Sequence, residues 1–342
     1  MIEDTMQEIR QLIVGDKSLN IVITTHHKPD ADALGSSLGL YHYLSGLGHK
    51  ATVVSPTDYP FNLCWMPGEK GVINFEEDEK KAVSLVNNAD IVFCLDFNDL
   101  KRINDLGPIV GECNALKVMI DHHRNPVGFD DARYWTIHTS STAELIYDFI
   151  VSNGHQSHLT KDIASCIYAG IMADTGSFRF SSTSSHTHRI AAELIDLGAD
   201  SAKIHALLLD NFSLERYRLM GYVLYEKLEI FPEYNTALVH LTHDELVRFN
   251  VRTGDTEGFV NFGLGIKGIV FSALIIDRSV MVKMSFRSQG NFPCNDFAAS
   301  HFNGGGHLNA AGGASHESLE ETVNKFKALL PAYKNLLVND EA

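Results

Sequence analysis

Residues 20–32 read NIVITTHHKPDAD, and this stretch decides how the first half of the chain folds. NIVITT (residues 20–25) is a short, mostly β-branched run, which is typical of a strand buried inside a parallel sheet. It leads directly into a polar cluster that contains His26, Asp30 and Asp32. Residues 31–46 then have the spacing of an amphipathic helix. We therefore predict a strand, a polar loop and a helix in immediate succession.

The same arrangement recurs further along the chain. DIVFCL (residues 90–95) leads into Asp96, and KVMI (residues 117–120) leads into Asp121, His122 and His123. A helical stretch, ASCIYAGIMA (residues 164–173), leads into Asp174. Because helices are predicted between the strands, we expect an α/β fold, a parallel sheet flanked by helices.

The pattern changes after about residue 200. Residues 213–228 predict a long polar helix, and strands follow at 237–241, 268–276 and 280–286. We predict an α/β domain over residues 1–190, a helical connector over residues 191–232, and a smaller α+β domain over residues 233–342.

Composition and charge exclude several classes of protein. The chain has 28 Lys and Arg against 43 Asp and Glu, a net charge of −15, which argues against binding of long duplex nucleic acid or of anionic membrane surfaces. Its five cysteines include no C-x-x-C pair, so a zinc ribbon or disulfide framework is not expected. No apolar run approaches the roughly 18 residues of a membrane span, and the acidic N-terminal segment does not resemble a secretory signal. We therefore expect a cytoplasmic protein.

The polar clusters predict a metal centre. The carboxyl ends of parallel strands share one edge, where ligands bind, so we expect these clusters to converge. Imidazole and carboxylate donors without a thiolate suit Mn²⁺ or Mg²⁺, and several buried carboxylates need cations beside them. Two divalent ions in such a site indicate hydrolysis of a phosphate ester or anhydride. Each carboxylate taken singly has a plainer interpretation as a helix cap, and their recurrence at one edge favours the metal centre.

These motifs resemble the DHH phosphoesterase superfamily. The resemblance rests on the H-x₃-D-x-D, D, DHH and D motifs described above, and GGGH followed by AAGG near residue 310 looks like the DHHA1 substrate domain. It extends over nearly the whole chain and is strongest to the oligoribonucleases (nanoRNases) and pAp phosphatases, including members labelled exopolyphosphatase-related. It implies two Mn²⁺ ions, with Mg²⁺ as the alternative, and a homodimer. The implied ligands are His26, Asp30 and Asp96 for one ion, and Asp32, Asp96, His122 and Asp174 for the other.

The resemblance also implies roles for two neighbours of His122. His123 would contact the scissile phosphate or give a proton to the leaving oxygen as a general acid. Asp121 would hydrogen-bond a ligand histidine and fix its orientation.

The C-terminal part offers a candidate phosphate site. Gly304, Gly305 and Gly306 allow successive backbone amides to turn toward an anion, and we expect His307 to begin a short helix whose N-terminus faces the same anion. Arg287, at the end of a predicted strand, can hold a terminal phosphate through two hydrogen bonds. A flexible hinge and a surface arginine are the plainer interpretations of the two features.

Together these features predict a two-metal phosphoesterase that acts on short oligonucleotides, on 3′,5′-bisphosphate nucleotides such as pAp, or on both. The chain shows no alternation of basic and aromatic residues suited to a long single strand, so the substrate is expected to be short. Exopolyphosphatase or pyrophosphatase activity fits the metal motifs equally well. A metal-bound nucleotide sensor without turnover is the alternative of another class.

Overall fold

Two compact units, Met1–Asn211 and Phe212–Ala342, make up the chain in the computed structural model, which describes residues 2–338. The division falls inside the segment predicted as a connector. The prediction of a parallel sheet flanked by helices, followed by a smaller α+β unit, is confirmed.

Within residues 2–211, the first unit contains six strands and eight α-helices. The strands are β1 (Asn20–Thr25), β2 (Lys50–Ser55), β3 (Ile73–Asn74), β4 (Ile91–Leu95), β5 (Leu116–Asp121) and β6 (Ala132–Trp135). The helices are α1 (Ile2–Ile13), α2 (Ala31–Gly46), α3 (Glu79–Asn87), α4 (Leu106–Glu112), α5 (Thr142–Ser152), α6 (Lys161–Asp174), α7 (Ser185–Asp196) and α8 (Ser201–Leu209).

All six strands are parallel, in the order β3-β2-β1-β4-β5-β6. Side chains alternate across the sheet. Ile21 and Ile23 face one core together with α2, α5 and α6, while Val22 and Val92 face a second core together with α3 and α4. Burial on both faces explains why the predicted strands are continuous apolar runs.

The strand order reverses between β1 and β4, since β2 lies on one side of this pair and β5 on the other. In doubly wound sheets, ligands bind at the carboxyl edge beside such a reversal. The segments after β1, β4 and β5 begin with His26, Asp96 and His122.

Over residues 212–338, the second unit forms a mixed six-stranded sheet in the order β11-β12-β10-β9-β8-β7, in which β8 and β9 are the only parallel pair of this described part. Its strands are β7 (Leu228–Phe231), β8 (Thr236–Leu241), β9 (Phe271–Asp277), β10 (Val282–Ser288), β11 (Gly305–His307) and β12 (Ala310–Ser315). Its helices are α9 (Leu214–Tyr222), which a π-helical turn at Val223–Lys227 extends, α10 (His243–Arg248), α11 (Val260–Leu264), α12 (Cys294–His301) and α13 (Leu319–Tyr333).

Aromatic side chains dominate the core of the second unit. Phe271 and Phe286 on the sheet pack against Phe297 of α12 and Phe326 of α13. Leu219 of α9 lies in a second core on the opposite face of the sheet. Among residues 2–338, no helix combines the length and apolar content that a membrane span requires.

Candidate metal centre

The six predicted ligands lie at the carboxyl edge of the first sheet and form two groups of three. Within each group, the candidate ligand atoms lie within 4.8 Å of one another. One group is His26, Asp30 and Asp96, and the other is Asp32, His122 and Asp174. The structure therefore brings together side chains from the segments that follow β1, β4 and β5 and from helices α2 and α6.

His26 and Asp30 present one atom each to this cluster because their other atoms are already used. Nδ1 of His26 donates to the carbonyl oxygen of His27 at 2.9 Å, so the neutral ring carries its lone pair on Nε2. Oδ1 of Asp30 accepts from the amides of Asp32 and Ala33 and caps α2. Oδ2 of Asp30 lies 3.9 Å from Nε2 of His26. The capping and ligand interpretations of Asp30 thus apply to different oxygens of one carboxylate.

Asp96 belongs to the first group and also approaches His122 of the second. Its Oδ2 is 3.4 Å from Nε2 of His26, and its Oδ1 is 3.4 Å from Nε2 of His122. Its backbone has φ of +63°, a conformation that non-glycine residues adopt rarely and that concentrates at functional sites. Only 2% of Asp96 is exposed, so the carboxylate is nearly sealed from bulk solvent.

The N-terminus of α5 holds Asp32. The amide of Thr142 donates to Oδ2 of Asp32 at 2.7 Å, and the amide of Ala143 donates to Oδ1 at 2.8 Å. The hydroxyl of Thr142 also donates to Oδ1 of Asp96 at 2.9 Å. We did not predict these two residues from the sequence. The pattern Ser141-x-x-Glu144 was the available signal, because it marks a helix start whose free amides attract anions.

His122 and Asp174 complete the second group. Oδ2 of Asp174 lies 3.4 Å from Nε2 of His122, and Oδ2 of Asp32 lies 4.0 Å from the same nitrogen. Asp174 is the last residue of α6, where the negative end of the helix dipole disfavours a carboxylate. A cation beside Asp174 removes that penalty.

The pKa shifts within the cluster reflect its burial and the closeness of its carboxylates to one another. Burial and the carboxylates of Asp96 and Asp174 raise the pKa of Asp32 well above its ordinary value. Burial lowers the pKa of His122, but hydrogen bonding to Asp96 and the charge of Asp174 outweigh it and raise that pKa to about 10. Asp32 and His122 therefore favour their protonated forms, whereas hydrogen bonds from His122 and His26 hold the pKa of Asp96 well below its ordinary value despite its burial. The oxygen and imidazole donors fit hard divalent cations, which would displace those protons.

Asp121 orients His123 rather than His122. Nδ1 of His123 donates to Oδ1 of Asp121 at 2.8 Å, whereas we expected Asp121 to bond a ligand histidine. Nε2 of His122 instead lies 3.4 Å from Oδ1 of Asp96 and 3.4 Å from Oδ2 of Asp174. Burial lowers the pKa of His123 despite this hydrogen bond. The neutral ring is therefore fixed with Nδ1 protonated.

In the second unit, the expected helix after His307 is wrong. His307 ends β11, and residues 310–315 form β12, which pairs with β10. Gly304 and Gly306 are required by close backbone packing, whereas a Cβ at Gly305 would meet no atom within 4 Å. A Cβ at Gly304 would lie 2.0 Å from the carbonyl oxygen of Gly312, and Gly306 has φ of +143°.

The predicted phosphate-binding residues therefore lie on or beside β-strands rather than at a helix N-terminus. The amide of Gly304 donates to the carbonyl oxygen of Ala298 at 3.2 Å, so this amide does not belong to an open anion nest. Arg287 lies on β10, opposite Ala310 of β12, and is half-buried. Its Nη1 donates to the carbonyl oxygen of Phe286 at 2.9 Å.

Comparison with known proteins identifies relatives along both units. The model of the DHH family, N-terminal domain, matches residues 20–171, and the model of the DHHA1 domain matches residues 235–336. A Streptococcus mutans protein named probable bifunctional oligoribonuclease and PAP phosphatase NrnA is 32% identical over 93% of this chain and 94% of its own length. The bifunctional oligoribonuclease and PAP phosphatase NrnA of Thermus thermophilus is 34% identical over 85% of this chain and 83% of its own. The crystal structure of an exopolyphosphatase-related protein from Bacteroides fragilis superposes with a TM-score of 0.92, at 40% identity and 98% coverage of both chains.

Proposed function

Because the chain belongs to the DHH family of phosphoesterases, we propose that it is a divalent-metal-dependent hydrolase of short oligonucleotides, of 3′,5′-bisphosphate nucleotides such as pAp, or of both. The observation that carries the proposal is the position of Asp96, whose two oxygens each lie 3.4 Å from the Nε2 atom of a different histidine. A carboxylate shared in this way suits a ligand that bridges two ions.

We assign the two groups of the cluster to two ions, Mn²⁺ first and Mg²⁺ as the alternative. His26, Asp30 and Asp96 would hold one, and Asp32, Asp96, His122 and Asp174 would hold the other. Divalent ions bound there would stabilise the negative charge that develops on the phosphoryl oxygens and would lower the pKa of water.

The protein's own residues would supply positioning and a proton. The amides at the start of α5 keep Asp32 in one orientation, and the hydroxyl of Thr142 does the same for Asp96. Asp121 fixes the ring of His123. We propose that His123 contacts the scissile phosphate, whose negative charge favours the imidazolium, and that it donates a proton to the leaving oxygen.

The second unit would recognise the substrate's terminal phosphate. Arg287 is the principal candidate because its guanidinium can donate two parallel hydrogen bonds to phosphate oxygens. We propose Gly304, Gly305, Gly306 and His307 as further substrate-binding residues, through groups other than the amide of Gly304, which donates to Ala298. The net charge of −15 disfavours long nucleic acids, which supports short substrates. A cytoplasmic location and a homodimer stay predictions.

The decisive experiment offers the purified chain, with and without added Mn²⁺ or Mg²⁺, a panel of phosphates. The panel contains the dinucleotide pApA, short RNA, pAp, pyrophosphate and polyphosphate. We expect metal-dependent turnover of the nucleotide substrates. Preferred turnover of pyrophosphate or polyphosphate would favour the exopolyphosphatase or pyrophosphatase alternative. Binding of nucleotides without turnover of any substrate would favour a metal-bound sensor.

A further inference from the structure

Trp135 lies at the same edge of the sheet as the candidate metal centre. It is the last residue of β6, and its Cα pairs with that of Asp121 in the parallel ladder between β5 and β6. Both residues therefore stand at the carboxyl ends of their strands. Trp135 is not one of the residues that the family motifs or the metal groups select.

The indole is tied to the residue proposed as the general acid. Its Nε1 donates to the backbone carbonyl oxygen of His123 at 2.7 Å, and Nδ1 of His123 lies 3.6 Å from Oδ1 of Asp96. This hydrogen bond satisfies the one polar atom of the indole and limits its rotation. His123 thus contacts both the indole of Trp135 and the carboxylate of Asp96.

The side chain is nevertheless well exposed. Trp135 keeps 37% of its surface accessible, whereas the other tryptophan, Trp65, is partly buried against the core of the first unit. Exposure of a large aromatic ring is common on protein surfaces when taken alone. Here the ring combines exposure, a fixed orientation and a place beside the residues that would hold a scissile phosphate.

We propose that Trp135 is a specificity-determining residue, a stacking platform for the nucleobase of the nucleotide whose phosphate is cleaved. Any nucleobase offers a π-face to an aromatic ring, so such a platform selects nucleotides without reading their sequence. It gives an acidic chain a way to prefer a dinucleotide over pyrophosphate, which has no base. This inference rests on the proposed function.

The first test compares Trp135→Leu and Trp135→Phe with the wild type. The substrates are pApA and two analogues in which one adenine or the other is replaced by an abasic residue. In Trp135→Leu, we expect kcat/KM for pApA to fall about 10-fold, within the 5- to 150-fold range of a lost base stack, while turnover of one abasic analogue is unchanged. Trp135→Phe keeps a stacking ring but loses the N–H, so it should retain most of the preference for pApA over the abasic analogues.

The second test measures stacking without turnover. In Trp65→Phe, Trp135 is the only remaining fluorophore of its kind, since the chain has two tryptophans. Adenosine 5′-monophosphate with Mg²⁺ should quench its fluorescence, and ribose 5-phosphate at the same concentration should not. Equal quenching by the two compounds would overturn the platform.

The two proposals fail in different ways. Absence of nucleotide turnover by the wild type would contradict the proposed function, while base-dependent quenching would still support the platform. If Trp135→Leu slowed pApA and both abasic analogues equally, Trp135 would be a positioning residue for His123, and the platform would be wrong.

Discussion

Gly170 and Asp32 lie so close together that a Cβ atom at position 170 would stand 2.9 Å from Oδ1 of the carboxylate. The same atom would stand 2.6 Å from the Cβ of Ala143, whose amide donates to Asp32. The two helices are equally close one turn further along, where a Cβ at Gly35 of α2 would lie 2.5 Å from the carbonyl oxygen of Cys166 of α6. Helices α2 and α6 thus need two glycines to bring their carboxylates together.

Gly170→Ala is therefore expected to displace Asp32 and to weaken metal binding. Changes around a metal ligand typically cost about 10- to 100-fold in affinity, and we expect a loss of this size for Mn²⁺, with a comparable loss of activity. Calorimetric titration with Mn²⁺ measures the affinity directly. Unchanged affinity in a folded Gly170→Ala protein would contradict the positioning role.

Gly46→Ala is the matched control. Gly46 lies in α2, and nothing stands within 4 Å of a Cβ at that position. We expect wild-type metal affinity and a gain in stability of up to about 1 kcal/mol, because alanine favours the helix.

Thr142→Val should weaken metal binding through Asp96. Valine keeps the shape of the buried side chain and the amide that bonds Asp32, but it removes the hydroxyl that donates to Oδ1 of Asp96. We expect about a 10-fold lower Mn²⁺ affinity. Thr142→Ser restores the hydroxyl and should restore the affinity, whereas equal affinities for the two variants would assign Thr142 a packing role only.

The convergence of the cluster could be predicted from the sequence because it follows from topology. Parallel strands align their carboxyl ends, so His26, Asp96 and His122 had to meet once the three strands were recognised. The approach of α5 to Asp32 depends on packing between residues 110 positions apart, and the pattern Ser141-x-x-Glu144 marks only the start of the helix, not the carboxylate that it binds. The strand β12 was missed for a related reason. Its alanines and glycines have weak strand propensity, and pairing with β10 decides their conformation.

Asp96→Asn should abolish turnover. Asparagine tolerates the positive φ at this position, so the fold should survive, but the neutral amide cannot bridge two cations as a carboxylate does. We expect activity at background level and the loss of at least one Mn²⁺ per chain. Asp90→Asn is the control, because Asp90 binds the amide of Asn20 at the opposite end of the sheet. Normal turnover by Asp96→Asn would remove the bridging assignment.

Arg287→Ala should weaken binding of phosphorylated ends more than it slows chemistry. We expect KM for 5′-phosphorylated dinucleotides to rise about 10-fold or more, from the loss of charge-assisted hydrogen bonds, with kcat little changed. Lys283→Ala is the control on the same face of β10, four residues away along the strand. For a substrate without the terminal phosphate, Arg287→Ala and the wild type should have the same KM. An unchanged KM for the phosphorylated substrate would argue against phosphate recognition by Arg287.

The stability of the second unit should depend on pH through Glu245. Glu245 accepts hydrogen bonds from the hydroxyl of Tyr222, from the amide of Thr242 at 2.8 Å and from Nζ of Lys227 at 2.9 Å. Burial raises the pKa of Glu245, but these donors outweigh it and lower that pKa to about 2 from the ordinary 4.5.

The sign of the effect follows from proton linkage. The unfolded chain binds a proton on Glu245 below pH 4.5, and the folded chain does so only near pH 2. Glu245 therefore stabilises the fold fully above pH 4.5, and this stabilisation is lost as the pH falls toward about 2. Because the side chain is 14% exposed, solvent screens its charge, and we expect ionised Glu245 to stabilise the fold by about 2 kcal/mol rather than by the full equivalent of the pKa shift.

Glu245→Gln should thus lower the free energy of unfolding by about 2 kcal/mol at pH 7, and the difference from the wild type should shrink steadily below about pH 4.5. Urea denaturation at several pH values measures this difference. Glu233→Gln removes an exposed carboxylate of the same unit and should leave the stability unchanged at every pH. A deficit in Glu245→Gln that stays constant down to pH 2 would show that the glutamine fails to pack, and that the charge of Glu245 does not stabilise the fold.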